Sequence, residues 1–172
     1  MVLVAEIPGK GAFACIRYDT DRRIIYDAIV GYEDGYDGIS AETYVDTTNN
    51  RMEIKALISA LELVTTKYKE EQCIIYCDSA YCVNMFNNWI YNWAANNWIG
   101  TNKQEVKNLD LVKRLYKYTN ISFPNFEVVK IVGHKDDIGN ELADAYARMA
   151  TYNDSTKLVK IIKENDITLE LG

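Results

Sequence analysis

Positive charge is in short supply in this chain. Lys and Arg number 19 against 25 Asp and Glu, which leaves a formal charge of -6. Non-specific affinity for a polyanion comes largely from Lys and Arg at phosphates, and a net acidic surface repels it, which counts against a nucleic-acid binder without deciding the matter. A local basic face stays open, as do divalent cations bridging carboxylates to phosphate, and either predicts weak, salt-sensitive binding. Long apolar runs are missing too, since no stretch approaches the roughly twenty residues needed to cross a bilayer. Met1-Val2-Leu3-Val4-Ala5 lacks the positively charged start of a leader peptide and reads as a strand, so no leader and no membrane partner are expected. Cys15, Cys73, Cys77 and Cys82 show no metal-ligand spacing between separated pairs and sit in apolar segments, as small hydrophobes do. Without a disulfide framework the expected compartment is reducing, intracellular and cytoplasmic. Histidine occurs once, at His134.

The rest of the composition is that of a globule. With 172 residues, 48% hydrophobic and 26% charged, the chain has the length for one domain with a sizeable core. Val2 to Ile7, Ala12 to Tyr18 and Arg23 to Gly31 read as three successive antiparallel strands, joined by the turns Pro8-Gly9-Lys10-Gly11 and Asp19-Thr20-Asp21-Arg22. Tyr32 to Gly38 is acidic, glycine-containing and aperiodic, hence a loop. Met52, Ala56, Leu57, Ala60, Leu61 and Val64 recur at helical spacing, which predicts an amphipathic helix from about Asn50 to about Tyr68. Cys73 to Cys77 is a short apolar run, the pattern of a strand covered on both faces. Further helices are expected from Ser79, from Lys107 and from Asn140, with a last strand at Phe126 to Ile131. Strands that first meander and then alternate with helices imply an α/β fold: a mixed five-stranded sheet with helices on both faces. Residues 1–152 form that domain, and 153–172 an amphipathic tail docked on it as an extra helix or short strand.

Three carboxylates stand out. Glu53 follows Thr47-Thr48-Asn49-Asn50-Arg51-Met52, where Asn49 and Asn50 suit a cap or loop and Glu53 the first helical turn. Taken alone, an S/T/N-x-x-E pattern is a capping glutamate. Asp78 closes the run Cys73-Ile74-Ile75-Tyr76-Cys77, and Asp144 lies ten residues after His134. Clustered carboxylates are what two-metal phosphoryl transfer needs, and Mg²⁺ suits them because it prefers oxygen ligands and keeps waters for a substrate to displace.

Together, Thr47 to Glu53, Asp78-Ser79-Ala80-Tyr81, and Gly133-His134 through Gly139-Asn140-Glu141-Leu142-Ala143-Asp144 resemble the type 1 ribonucleases H, from about Pro8 to Met149. The resemblance implies a ribonuclease H-like fold and a metal-dependent endonuclease that cuts the RNA strand of RNA–DNA hybrids. It implies Glu53, Asp78 and Asp144 as metal ligands, Mg²⁺ as the ion with Mn²⁺ as substitute, and His134 as a mobile histidine that assists product release. A histidine near carboxylates and metal relays protons at neutral pH. Asn49 and Asn50 resemble residues that touch the hybrid's minor groove, where 2′-hydroxyls distinguish RNA from DNA. Asn108 resembles a phosphate contact, with Lys103 and Lys107 nearby.

Two landmarks depart from the family. Its first strand carries an aspartate followed by glycine, and here stands Met1-Val2-Leu3-Val4-Ala5-Glu6-Ile7. Glu6 is the candidate replacement, and the competing reading makes it a solvated hairpin residue. Family members with a basic handle place Lys and Arg between their tryptophans, whereas Trp93-Ala94-Ala95-Asn96-Asn97-Trp98 is uncharged. Trp89, Trp93 and Trp98 are thus either packing or a base-stacking platform. The alternative function is a catalytically weak or inactive relative that keeps the fold for nucleic-acid binding or protein assembly. A third reading is a truncated or re-started coding sequence whose full product has the first strand intact.

Overall fold

The computed structural model describes residues 2–7, 12–32, 41–131 and 137–171, with residues 2–7, 32, 41–49 and 151 described as backbone. The meander expected from the sequence is there. Val2–Ile7 (β1) pairs antiparallel with Ala12–Asp19 (β2), and β2 pairs antiparallel with Ile24–Tyr32 (β3). Between β2 and β3, Asp19 Oδ1 accepts from the backbone N–H groups of Asp21 at 3.0 Å and Arg22 at 2.9 Å, the self-capping that makes aspartate a turn residue. The turn Pro8 to Gly11 and the acidic stretch from Glu33 to Gly38 lie outside the described residues.

On the other side of β1, Cys73–Cys77 (β4) pairs in parallel, and Phe126–Lys130 (β5) pairs in parallel with β4. The sheet holds six strands rather than five, in the order β5-β4-β1-β2-β3-β6. The addition is Thr168–Leu169 (β6), parallel to β3 and fixed by Thr168 N–H to Arg23 O and Glu170 N–H to Ile25 O, both 2.9 Å. A strand this short carries no alternating pattern for sequence to reveal.

The first helix, Ala41–Thr65 (α1), begins earlier than expected. Nothing between Ala41 and Asn50 breaks a helix, since neither glycine nor proline occurs there, so turn propensity at Asn49 and Asn50 is overridden. Glu53 consequently lies well past the first turn, where the dipole no longer favours a carboxylate. Ala80–Asn84 (α2), a π-helical turn at Met85–Trp89 and Ile90–Ala95 (α3) follow β4. Leu109–Thr119 (α4), Ile138–Tyr152 (α5) and Thr156–Glu164 (α6) complete the set.

Alternation along β2 divides the core into two layers. Cys15 packs on one face with Leu57, Leu61, Ile75, Cys77 and Val128, under α1, α2 and α4. Ala14, Ile16 and Tyr18 face the other way, against Leu142, Ala143 and Tyr146 of α5 and Leu158 and Ile161 of α6. Coverage of β4 is less complete than its apolar run suggests, because Ile74 is partly exposed. All four cysteines are free thiols, and burial pushes the Cys15 thiol well above its usual range. Beyond α1, Asn125 Nδ2 lies 2.8–2.9 Å from the carbonyls of Val64, Tyr68 and Glu71 and shares its two N–H donors among them, tying the last turn of the helix to the chain that leaves it. The helices thus lock onto a sheet whose β1 and β4 run side by side.

Candidate active site

Asp78 follows the last residue of β4, level with the end of the β1–β4 ladder, in which Val4 pairs with Cys77. Ile131 N–H donates to Cys77 O at 3.0 Å, so β5 extends alongside the same strand end. A strand end with parallel neighbours on both sides is where open α/β sheets place their ligands. The Asp78 side chain is exposed, and Lys130 Nζ stands 3.3 Å from its Oδ1 while also donating to Ile131 O at 3.1 Å.

Glu53 is brought to the same corner by Ser79. The Ser79 hydroxyl donates to Glu53 Oε2 at 2.6 Å and accepts from Cys82 N–H at 3.1 Å, so one side chain caps α2 and fixes the carboxylate of α1. What positions Glu53 is this hydroxyl rather than a helix terminus.

Asp144 lies within α5, which Asp137 caps by accepting from Asn140 N–H at 2.9 Å. Its Oδ2 receives Arg148 Nε at 3.1 Å and Lys157 Nζ, from α6, at 2.7 Å. Among the described residues no three acidic, histidine or cysteine side chains gather closely enough to hold a metal ion. The donor chemistry fits a hard divalent cation, since the candidate ligands are carboxylate oxygens and two of them already draw ammonium groups as monovalent stand-ins. His134 and the Glu6 side chain lie outside the described residues. The backbone of Glu6 pairs with Phe13, two positions beyond the Val4–Cys77 pair.

The expected substrate contacts separate into two groups. Asn108 is left-handed (φ 59°) just before α4, a conformation asparagine tolerates better than most residues. Together with Arg51, Lys107, Asp110 and Lys113 it lines a groove of about 610 Å³. Asn108 Nδ2 is buried and makes no hydrogen bond of good geometry among the described residues, although the Tyr81 hydroxyl is close enough to feel it as a donor. Lys103 is exposed in a turn away from that lining, Asn50 is half-buried within α1, and Asn49 is described as backbone of the same helix.

The tryptophans divide as well. Trp98 packs edge-on against Tyr116 with ring centroids 5.3 Å apart, as a core residue does. Trp89 and Trp93, 6.0 Å apart, instead line an open groove of about 440 Å³ with Asn92, Asn96 and Ile99. Sequence reasoning passed over Lys113, although helical spacing from Leu109 places it on α4 near Asn108. Ser79 stands in the Asp78-Ser79-Ala80-Tyr81 run with no role of its own, and its contact with Glu53, like those of Lys130 with Asp78 and Lys157 with Asp144, follows only from three-dimensional proximity.

Arg51 ties the two helices that frame the basic groove. Its Nη1 and Nη2 meet Asp110 Oδ1 and Oδ2, each at 2.9 Å, a two-pronged pairing that fixes both planes. Hydrogen bonding to Arg51 holds the Asp110 carboxyl down to about 2. A carboxyl lowered on folding stabilises above its unfolded value of about 3.9, and that contribution is lost as pH falls through about 2. The Asp110 side chain is largely exposed, so solvent screening keeps the gain small. In Arg51→Ala the Asp110 carboxyl is expected to rise toward the ordinary carboxylate range, with the backbone N–H groups of Asp110 and Leu111 still holding it somewhat below. NMR of its side-chain carbon measures this directly, and titration still near 2 would contradict the pairing.

A sequence model of the RNase H family matches residues 13–152. The chain is a member of the RNase H family. It is 38% identical over 144 residues to the ribonuclease H of Caldicellulosiruptor saccharolyticus, covering 82% of this chain and 85% of that one. The ribonuclease H of Chlorobium limicola is 36% identical over 152 residues, covering 86% and 89%. The fold is similar to that of LC9-RNase H1, described as a type 1 RNase H with the type 2 active-site motif. That likeness has a TM-score of 0.62 at 19% identity over 98% of this chain and 86% of that one. The foamy viral protease-reverse transcriptase in complex with an RNA/DNA hybrid gives a TM-score of 0.65 at 15% identity, over 89% of this chain and 20% of that one. As an RNase H the protein is an enzyme, with the family's ribonuclease activity on RNA–DNA hybrids and its general dependence on a divalent metal.

Proposed function

We propose that this RNase H is an endonuclease that hydrolyses the RNA strand of RNA–DNA hybrids by two-metal phosphoryl transfer, with Mg²⁺ as its ion. The observation that carries the reading is the corner at the end of β4, where Asp78 is exposed and Ser79 hands its hydroxyl to Glu53. Glu53, Asp78 and Asp144 would hold the metal, and Glu6 is the first-strand candidate for a fourth carboxylate. Bound there, divalent cations stabilise the charge on the attacking and leaving oxygens. Ser79 keeps the Glu53 carboxylate from swinging away, which costs nothing at the moment of reaction because the geometry already exists. His134 would move the proton that the leaving group needs.

The substrate lies across α4 in this reading. A backbone phosphate at Asn108 would give its buried Nδ2 a better-placed acceptor than the Tyr81 hydroxyl, and Lys107 and Lys113 would supply positive charge along the same groove. Asn49 and Asn50 are the candidates for contact with the minor groove of the hybrid, and Lys103 would add charge at the edge. Trp89 and Trp93 offer faces for stacking without the usual basic residues between them, so grip is expected to be weak.

A strand-labelled hybrid tests the proposal. In Mg²⁺ the RNA strand is expected to be cut internally while the DNA strand survives. Excess chelator stops the reaction, and added Mg²⁺ or Mn²⁺ restores it. Cleavage that persists in chelator, or that spares the RNA strand, would overturn it.

A further inference from the structure

The tail beyond α5 does more than cover the sheet. Asn153 is left-handed (φ 52°) and turns the chain sharply at the end of α5. Asp154 Oδ1 then accepts from Thr156 N–H at 2.9 Å and starts α6, whose Leu158 and Ile161 are buried against the α5 layer. Between the cap and those anchors sits Lys157, and its ammonium lands 2.7 Å from Asp144 Oδ2. Arg148, one turn along α5, reaches the same oxygen at 3.1 Å. Lysine on a long stem is a mobile point charge, but here the residues on either side are fixed.

We propose that Lys157 is a resident rival of the divalent metal, an ammonium that neutralises Asp144 in the metal-free enzyme and must be displaced, or repelled, when metal binds. The inference rests on the reading of Asp144 as a metal ligand. A dication approaching Asp144 meets a carboxylate already shared by two positive groups, so each ion bound pays for moving Lys157 aside or tolerating it nearby. The tail therefore sets the metal concentration at which the site fills, and Lys157 acts through Asp144 as a positioning residue. Lys130 stands in a looser version of the same relation to Asp78, at 3.3 Å.

The test is Mn²⁺ binding to the full metal-free chain, followed by loss of the electron paramagnetic resonance signal of free Mn²⁺, which reads binding without turnover. Lys157→Gln is expected to bind Mn²⁺ about three- to tenfold more tightly, the size expected of one unit charge beside a dication in a partly solvated site. Lys157→Arg keeps the charge and should match the parent. Lys160→Gln removes an equal charge from the same helix, where Lys160 lies 4.0 Å from Glu164, and should also match it. Unchanged or weaker binding in Lys157→Gln, or equal tightening in Lys160→Gln, overturns the proposal. Asp144→Asn separates the two failures. If Asp144→Asn weakens Mn²⁺ binding and Lys157→Gln leaves it alone, only the rivalry falls; if neither variant changes it, Asp144 is no ligand and both ideas fall together.

Discussion

Asp78→Asn is expected to lose hybrid cleavage by more than the roughly 10- to 100-fold that partners behind a metal ligand cost when removed, because it would remove a ligand itself. The reason is placement. Asp78 ends a strand flanked by two parallel neighbours, is exposed, and contributes no buried contact to the core. Its described partner is Lys130 at 3.3 Å, and an exposed pair of this kind is worth at most about 1 kcal/mol. The thermal midpoint should therefore stay within about 4 °C of the parent. A strand-labelled cleavage assay beside a thermal melt reads both quantities. An Asn variant that cuts at the parental rate would remove Asp78 from the metal site, and a large drop in midpoint would mean that the residue is structural.

Leu57→Ala has the largest expected effect on stability. Leu57 is fully buried in the layer under α1, one turn beyond Glu53 on the same helix. Truncation loses the transfer energy of the side chain and leaves a cavity that a close-packed layer cannot fill, about 2–5 kcal/mol. For a chain of this size that corresponds to a midpoint lowered by about 4 to 20 °C. Glu62→Ala, exposed on the same helix, should stay within about 0.5 kcal/mol. A chemical denaturation series measures both, and a Leu57 variant as stable as Glu62→Ala would show that α1 is not seated as described.

Much of this architecture is legible in the residues, and the gaps have physical causes. The apolar run Cys73 to Cys77 announced β4, because burial leaves a period in the sequence, while the amphipathic tail was legible only as an extra helix or short strand and holds one of each, α6 and β6. The start of α1 was misjudged because asparagine's turn preference is a weak local bias. A helix with no breaker upstream simply continues through it. Glu53, Asp78 and Asp144 could be named as candidates from motif order, yet the groups that contact them could not. Ser79 adjoins Asp78 in sequence but reaches Glu53 only because α1 crosses the end of β4. Arg51 and Asp110, or Lys130 and Asp78, meet through sheet register and helix packing, neither of which short-range pattern encodes.

The pairing of β6 with β3 joins Ile24 to Thr168, nearly the whole length of the chain apart. Bringing such distant segments together costs loop-closure entropy that local contacts do not, so this edge is expected to close late in folding. β6 covers only the Ile24–Ile25 end of the nine-residue β3, so it guards one corner of an edge on which a second chain could otherwise add a strand. The short β6 thus works as a hem at that one corner, stitched by the same tail that carries Lys157 to Asp144.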